Sequence, residues 1–175
     1  MGPVSELRTE RLALRQMTSD DLLALSAIMQ DAETMTAYEG PFSEGETQGW
    51  LDRTLGSYAE WGHGLYAVTL PQDPAWMIGQ CGLTYQDLEG EPVLEVGYLF
   101  NRAVWGHGYA TEAAQAWIGY AFGALGADEV YAIVRDTNLR SMNVAIRCGM
   151  AVRRRFVKHY RGVEMPHLAF SVRRP

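Results

Sequence analysis

The chain has 175 residues, 47% hydrophobic and 21% charged, with 15 Lys and Arg against 21 Asp and Glu, a formal net charge of −6. This is the balance of a soluble globular protein, one domain over residues 1–175 with enough mass to bury a core. The acidity, with no basic stripe beyond Arg153-Arg154-Arg155, argues against nucleic acid as a principal partner and suits a cationic one.

Taken in order, Met1-Gly2-Pro3-Val4-Ser5-Glu6 lacks the basic-then-apolar layout of a signal peptide, and no later run approaches a membrane span. A cytoplasmic protein with no membrane partner is expected. Leu12-Ala13-Leu14-Arg15 reads as a short strand. Thr18-Ser19-Asp20-Asp21 supplies cap and first-turn residues for a helix through about Met29, its apolar face being Leu22, Leu25, Ile28 and Met29. Residues 30 to 42, with Glu33, Glu39, Gly40 and Pro41, read as a loop, and Ser43 with Glu46 has the spacing of a capping box for a helix to about Trp61.

Strands follow at Leu65 to Leu70, Trp76 to Tyr85 and Val93 to Phe100, separated by turn chemistry at Pro71-Gln72-Asp73-Pro74 and Glu89-Gly90. From Gly108 the period turns helical, with Ala110, Ala113, Ala114, Trp117, Ile118, Ala121, Phe122 and Leu125 on one face and Gly123 and Gly126 at its end. Val130 to Arg135 is a strand, Leu139 to Cys148 a helix stopped by Gly149, and Arg153 to Tyr160 with Val163 to Val172 a hairpin about Arg161-Gly162. The order β-α-α-β-β-β-α-β-α-β-β is that of an α+β domain with a mixed sheet, not a doubly wound parallel one.

Chemistry concentrates where the strand 93–100 runs into the next helix, at Trp105-Gly106-His107-Gly108-Tyr109-Ala110-Thr111-Glu112. Two glycines permit a sharp turn and close approach of a ligand, and the first-turn amides with the helix dipole favour an anion such as a diphosphate. No Gly-Lys-Ser/Thr follows, and the GxGxxG spacing fails at its third glycine, so neither nucleotide fingerprint applies. A purely structural turn is the alternative. In Asn138-Leu139-Arg140-Ser141-Met142-Asn143, either Asn138 or Ser141 serves as a helix cap, or the three polar side chains bind an amide-rich ligand such as pantetheine.

These blocks, in this order, resemble the GNAT superfamily of acyl-CoA N-acyltransferases, particularly the RimJ/RimL-type branch. Thr9-Glu10-Arg11-Leu12-Ala13-Leu14-Arg15 resembles its opening strand, Ile78-Gly79-Gln80-Cys81-Gly82-Leu83 its third strand and Glu95-Val96-Gly97-Tyr98-Leu99 its fourth. Trp105 to Glu112 resembles the diphosphate loop, and Asn138 to Met150 the second cofactor motif.

The resemblance implies a mostly antiparallel sheet of six to seven strands with about four helices. A V-shaped splay would separate the fourth and fifth strands, residues 93–100 and 130–135. It implies acetyl-CoA as co-substrate, its diphosphate on the backbone amides of Gly106, His107, Gly108, Tyr109, Ala110 and Thr111 beside Trp105. The pantetheine arm would run along Gly97, Tyr98 and Leu99, near Asn138, Ser141 and Asn143, with a backbone amide of the fourth strand on the thioester carbonyl.

The chain departs from the superfamily pattern twice. Trp105 stands where the general motif begins with Arg or Gln, as is common in the branch. Ala145 stands where many members carry a tyrosine that protonates the thiolate, leaving Ser141, Tyr160 or water for that task.

Glu95, between Leu94 and Val96, is the candidate base, because desolvation raises a carboxyl pKa towards the range that deprotonates an ammonium; a solvent-facing position on an alternating strand is the alternative. Glu33, Glu39, Glu44 and Glu46 flank the loop over the acceptor site and either attract a cation or form a solvated surface. His63, His107, His159 and His167 lack metal-ligand spacing, so no metal is expected; Cys81 and Cys148 read as reduced core residues. The expected activity is acetyl transfer by direct attack of a small-molecule or peptide amine, in a monomer or homodimer. The competing reading is a CoA-binding sensor that keeps the cleft without turnover.

Overall fold

Among the described residues every strand pair in the sheet is antiparallel except one, and that exception builds the site. The computed structural model describes residues 4–175; Met1–Pro3, the start of the segment read against a signal peptide, lie outside them. The elements are β1 Glu6–Arg8, β2 Ala13–Gln16, α1 Leu22–Met29, α2 Glu44–Trp61, β3 Leu65–Leu70, β4 Asp73–Leu88, β5 Glu91–Phe100, α3 Tyr109–Gly123, β6 Glu129–Arg135, α4 Leu139–Arg147, β7 Ala151–Tyr160 and β8 Val163–Arg173. The strands form one sheet in the order β1-β2-β3-β4-β5-β6-β8-β7, and only β5 and β6 run parallel.

Local chemistry places the elements. Thr18 and Asp21 close a capping box at a short 3-10 turn ahead of α1. Ser43 and Glu46 close the other at α2, the Ser43 N–H donating to Glu46 Oε2 at 2.7 Å and the Glu46 N–H to Ser43 Oγ at 3.2 Å. The β4–β5 and β7–β8 hairpins turn on Glu89-Gly90 and Arg161-Gly162, both residues of each pair having positive φ, as a two-residue loop on twisted strands requires.

Alternation sorts the two faces. Tyr66 and Val68 of β3 point to a core under α3 and α4 with Trp117, while Leu65 and Ala67 point to a second core under α1 and α2 with Leu25, Ile28 and Leu51. Both faces are therefore covered.

Three expectations need correction. The sheet has eight strands, not six to seven, because β1 pairs with β2 at the edge. Three residues with only Leu7 half-buried carry no alternation to read. Asp73 and Pro74 belong to β4 rather than to a turn; register shifts at Val68/Thr69 and Thr69/Leu70 let the hairpin tip keep proline beside the edge. The loop 30–42 contains a 3-10 turn, Thr36–Tyr38. Cys81 is buried and Cys148 half-buried, both free thiols. Among the described residues, no helix is long and apolar enough to cross a membrane.

Candidate active site

β5 and β6 are in register at one pair, Glu95 opposite Tyr131, and diverge from there, whereas β5 follows β4 from Gly79–Phe100 to Leu88–Glu91. The splay strips ladder partners from the facing edges. One of them, the Ile133 N–H, donates instead to Glu95 Oε2 at 3.1 Å, so the Glu95 carboxylate plugs the crotch of the V.

Two clefts open from this splay. The first, about 840 Å³, is lined by the end of β5, the loop before α3 and the first turns of α3 and α4. The second, about 700 Å³, lies between β5–β6, the β7–β8 hairpin and the segment 34–53. They meet at Thr34, Ala37, Tyr98, Leu99, Asn138 and Ser141.

Trp105, Gly106, Gly108, Tyr109, Ala110 and Thr111 line the first cleft. Gly106 and Gly108 have φ of 82° and 80°, a conformation that L side chains rarely adopt. The resulting turn leaves six successive N–H groups, residues 106–111, with no acceptor among the described residues. A string of orphan donors at a helix N-terminus fits an anion with several oxygens, and the open space at Gly106 admits it.

His107 alone of this run does not line the cleft. Its Nδ1 sits 3.1 Å from the carbonyls of Val104 and Trp105, and its ring stacks on Tyr109. The Trp105 indole donates to the Phe100 carbonyl at 3.0 Å, pinning the loop to β5, so this position is a structural prop.

The loop is also braced from the turn between β1 and β2. Arg11 Nε donates to Glu112 Oε2 at 2.6 Å and Arg11 Nη1 to the His107 carbonyl at 2.9 Å; Thr9 Oγ1 and the Arg11 N–H donate to Glu112 Oε1. Burial works against the Glu112 charge, but these hydrogen bonds hold its carboxyl below the ordinary range.

On α4, Asn138 is the cap, its side chain accepting from the Ser141 N–H at 3.2 Å. Ser141 and Asn143 also line the first cleft, and Ala145 is buried in the core, leaving no polar group at that position. Arg140, stacked 4.0 Å over the Trp105 ring, and Arg147 add positive charge to the same cleft. Sequence reasoning passed over both; their seven-residue spacing on one helix face was the available signal.

In the second cleft, Glu95 and Gly97 share a wall with Tyr38, Lys158 and Tyr160. Glu95 therefore faces a cavity, not open solvent. Burial raises its pKa to about 7, the Lys158 charge and the Ile133 N–H only partly offsetting it. Tyr160 lines this cleft alone, whereas Ser141 lines both.

The acidic residues of the overhanging segment are mostly engaged: Glu33 pairs with Arg102, Glu39 with Arg135 and Glu46 with Arg161. They do not form a free anionic funnel.

A profile of the acetyltransferase (GNAT) domain matches residues 11–151. YkkB of Bacillus subtilis (strain 168), an uncharacterized protein by name, is 32% identical over 151 residues, 86% of this chain and 87% of its own. The acetyltransferase from Agrobacterium tumefaciens str. C58 is similar at a TM-score of 0.80 and 29% identity, over 98% of this chain and 95% of that one. RimL, a ribosomal L7/L12 α-N-protein acetyltransferase solved in complex with coenzyme A, shares the fold at a TM-score of 0.77 and 14% identity, over 94% of this chain and 95% of that one. With its splayed sheet and matching profile, the chain belongs to the GNAT acetyltransferase family.

Proposed function

We propose that the protein transfers an acetyl group from acetyl-CoA to a primary amine by direct attack, in a single domain of the RimJ/RimL type working in the cytoplasm. The observation that carries this reading is the meeting of the two clefts at Tyr98, Asn138 and Ser141, one floored by unpaired amides and the other by Glu95. Acetyl-CoA supplies an already activated thioester, so the residues need only position the amine and manage protons. The free thiols agree with a reducing compartment.

The amides of residues 106–111 hold the diphosphate, and Arg140 and Arg147 add charge at the cleft wall. The backbone of Gly97, Tyr98 and Leu99, left without a full ladder by the splay, orients the pantetheine arm and the thioester carbonyl. Glu95, with a pKa of about 7 and Oε2 fixed by Ile133, takes the proton of the incoming ammonium. The amine nitrogen then bonds to the acetyl carbon as the carbon–sulfur bond breaks. Ser141 stands at the junction and relays to the departing sulfur the second proton, which the newly bonded nitrogen sheds; Tyr160, within the acceptor cavity, orients the amine.

The test is release of free thiol from acetyl-CoA against a panel of amines, with Glu95→Gln alongside. Acceptor-dependent release that drops by ~10²-fold or more in the variant is the expected result. Cofactor binding without acceptor-dependent release, and without any effect of Glu95→Gln, would instead mark a sensor.

A further inference from the structure

The acceptor cavity carries charge of both signs. Glu95 lies on its β5 wall, and Lys158 of β7 lies on the same face of the sheet, where β7 and β8 pair Lys158 with Met165 and Phe156 with His167. Lys158 is half-buried and, among the described residues, makes no ion pair. It is close enough for its charge to act on Glu95, yet the two do not close on each other. Two opposite charges kept apart across a cavity match a ligand with the reverse pair.

The remaining ionisable groups leave that pattern standing. Arg135 gives its terminal nitrogens to Glu39 and to the carbonyls of Thr36 and Ala37, and its Nε is buried without a partner. Burial and the nearby Lys158 and Arg135 charges lower the His167 pKa, so its ring adds no cation at neutral pH. Glu46 is held by Arg161 at 2.5 Å. Arg53 and His159 also line the cleft but are exposed, His159 beside Glu164, so Glu95 and Lys158 remain as the half-buried charges of the lining that, among the described residues, no ion pair holds.

We propose that the acceptor is a small zwitterion, an amine that also bears a carboxylate or phosphonate, its ammonium set against Glu95 and its anion against Lys158. This deepens the acetyltransferase reading and rests on it. A simple cation, which the net charge of −6 suits, would leave a half-buried lysine uncompensated in the same cavity as its ammonium, a like-charge contact that costs binding. The roof favours a small molecule over a peptide. Arg161, at the tip of the β7–β8 hairpin, reaches the Tyr38 and Gly40 carbonyls as well as Glu46, and so clasps the hairpin to the segment above the cavity.

Matched amines test this: 4-aminobutyrate, 3-aminopropylphosphonate and butylamine, then phenylalanine and phenethylamine, then an alanyl peptide amide, each scored by thiol release from acetyl-CoA. In at least one matched set an anion-bearing member should exceed its plain amine in kcat/KM on the order of tenfold, as one charge-assisted contact supplies. The carboxylate and phosphonate arms identify the anion. Lys158→Met should bring that ratio close to one and Lys158→Arg should restore part of it. The ratio cancels any general loss of folding, and also the rise in Glu95 proton affinity that loss of the lysine charge produces. Plain amines or the peptide amide outperforming the zwitterions, or a ratio that survives Lys158→Met, overturns the proposal while leaving acetyl transfer intact. Absence of release with every amine removes the acetyltransferase reading, and this proposal with it.

Discussion

The Tyr98 hydroxyl on β5 donates to the Ser141 carbonyl on α4 at 2.8 Å, so β5 is tied by one hydrogen bond to the helix that follows β6, where the clefts join. Tyr98→Phe removes the donor and leaves the ring's packing in place. The expected result is a rise of roughly fivefold in the KM for acetyl-CoA with little change in thermal stability, since a net hydrogen bond contributes about 1 kcal/mol. Steady-state kinetics with a melting curve separates this from a folding defect.

Glu95 gives a pH signature in two observables. As the base it must be ionised, so kcat/KM should rise with pH through about 7, and Glu95→Gln should flatten that limb. Stability runs the other way. The folded-state pKa lies above the unfolded value of 4.5, so the folded protein holds a proton that the unfolded chain has lost across that window. Stability contributed by the protonated carboxyl is present below pH 4.5 and gone above about 7. Glu95→Gln should melt a few degrees higher than the parent at pH 8 and alike at pH 4.5.

Gly106→Ala and Gly108→Ala put a Cβ on backbone at φ 82° and 80°. Nothing lies within 4 Å of that Cβ at Gly106, and at Gly108 only the Arg11 guanidinium approaches, at 3.5 Å. The penalty is therefore conformational, about 1–2 kcal/mol each. Calorimetry should show CoA binding weakened by roughly tenfold, as relaxation of the turn swings the amides away.

Glu112→Gln exchanges a carboxylate that accepts from Thr9, the Arg11 amide and the Arg11 guanidinium for a neutral amide. The loss expected in urea unfolding at pH 7 is about 1–3 kcal/mol. The folded-state pKa lies below the ordinary 4.5, so this stability is present above that value and fades as pH falls through the folded-state pKa. The gap between parent and variant should narrow accordingly in acid.

Local signals carried far. The cap at Thr18–Asp21, the Ser43–Glu46 capping box, both two-residue hairpin turns and the Gly106–Gly108 turn were legible because each depends on residues within a few positions of one another. Glu95 was legible as a desolvated carboxyl because its strand neighbours are apolar. What hid in the sequence is pairing at long range. Arg11 and Glu112 lie 101 residues apart, so nothing local distinguishes their brace from two surface charges. The acidic residues at 33, 39 and 46 suggested attraction for a cation, and only the fold brings Arg102, Arg135 and Arg161 to neutralise them. Lys158, on a strand exposed from Ala151 to Arg155 and again at Val157, gave no sign that it would line the same cavity as Glu95.

The shared boundary of the clefts also constrains kinetic order. Each lobe has its own walls, so neither reactant needs to depart before the other arrives, and Cys81 and Cys148, the two thiols, line neither lobe. Neither thiol is therefore placed to carry the acyl group between half-reactions. Double-reciprocal plots should intersect rather than run parallel, and protein incubated with radiolabelled acetyl-CoA alone should retain no covalent label after denaturation.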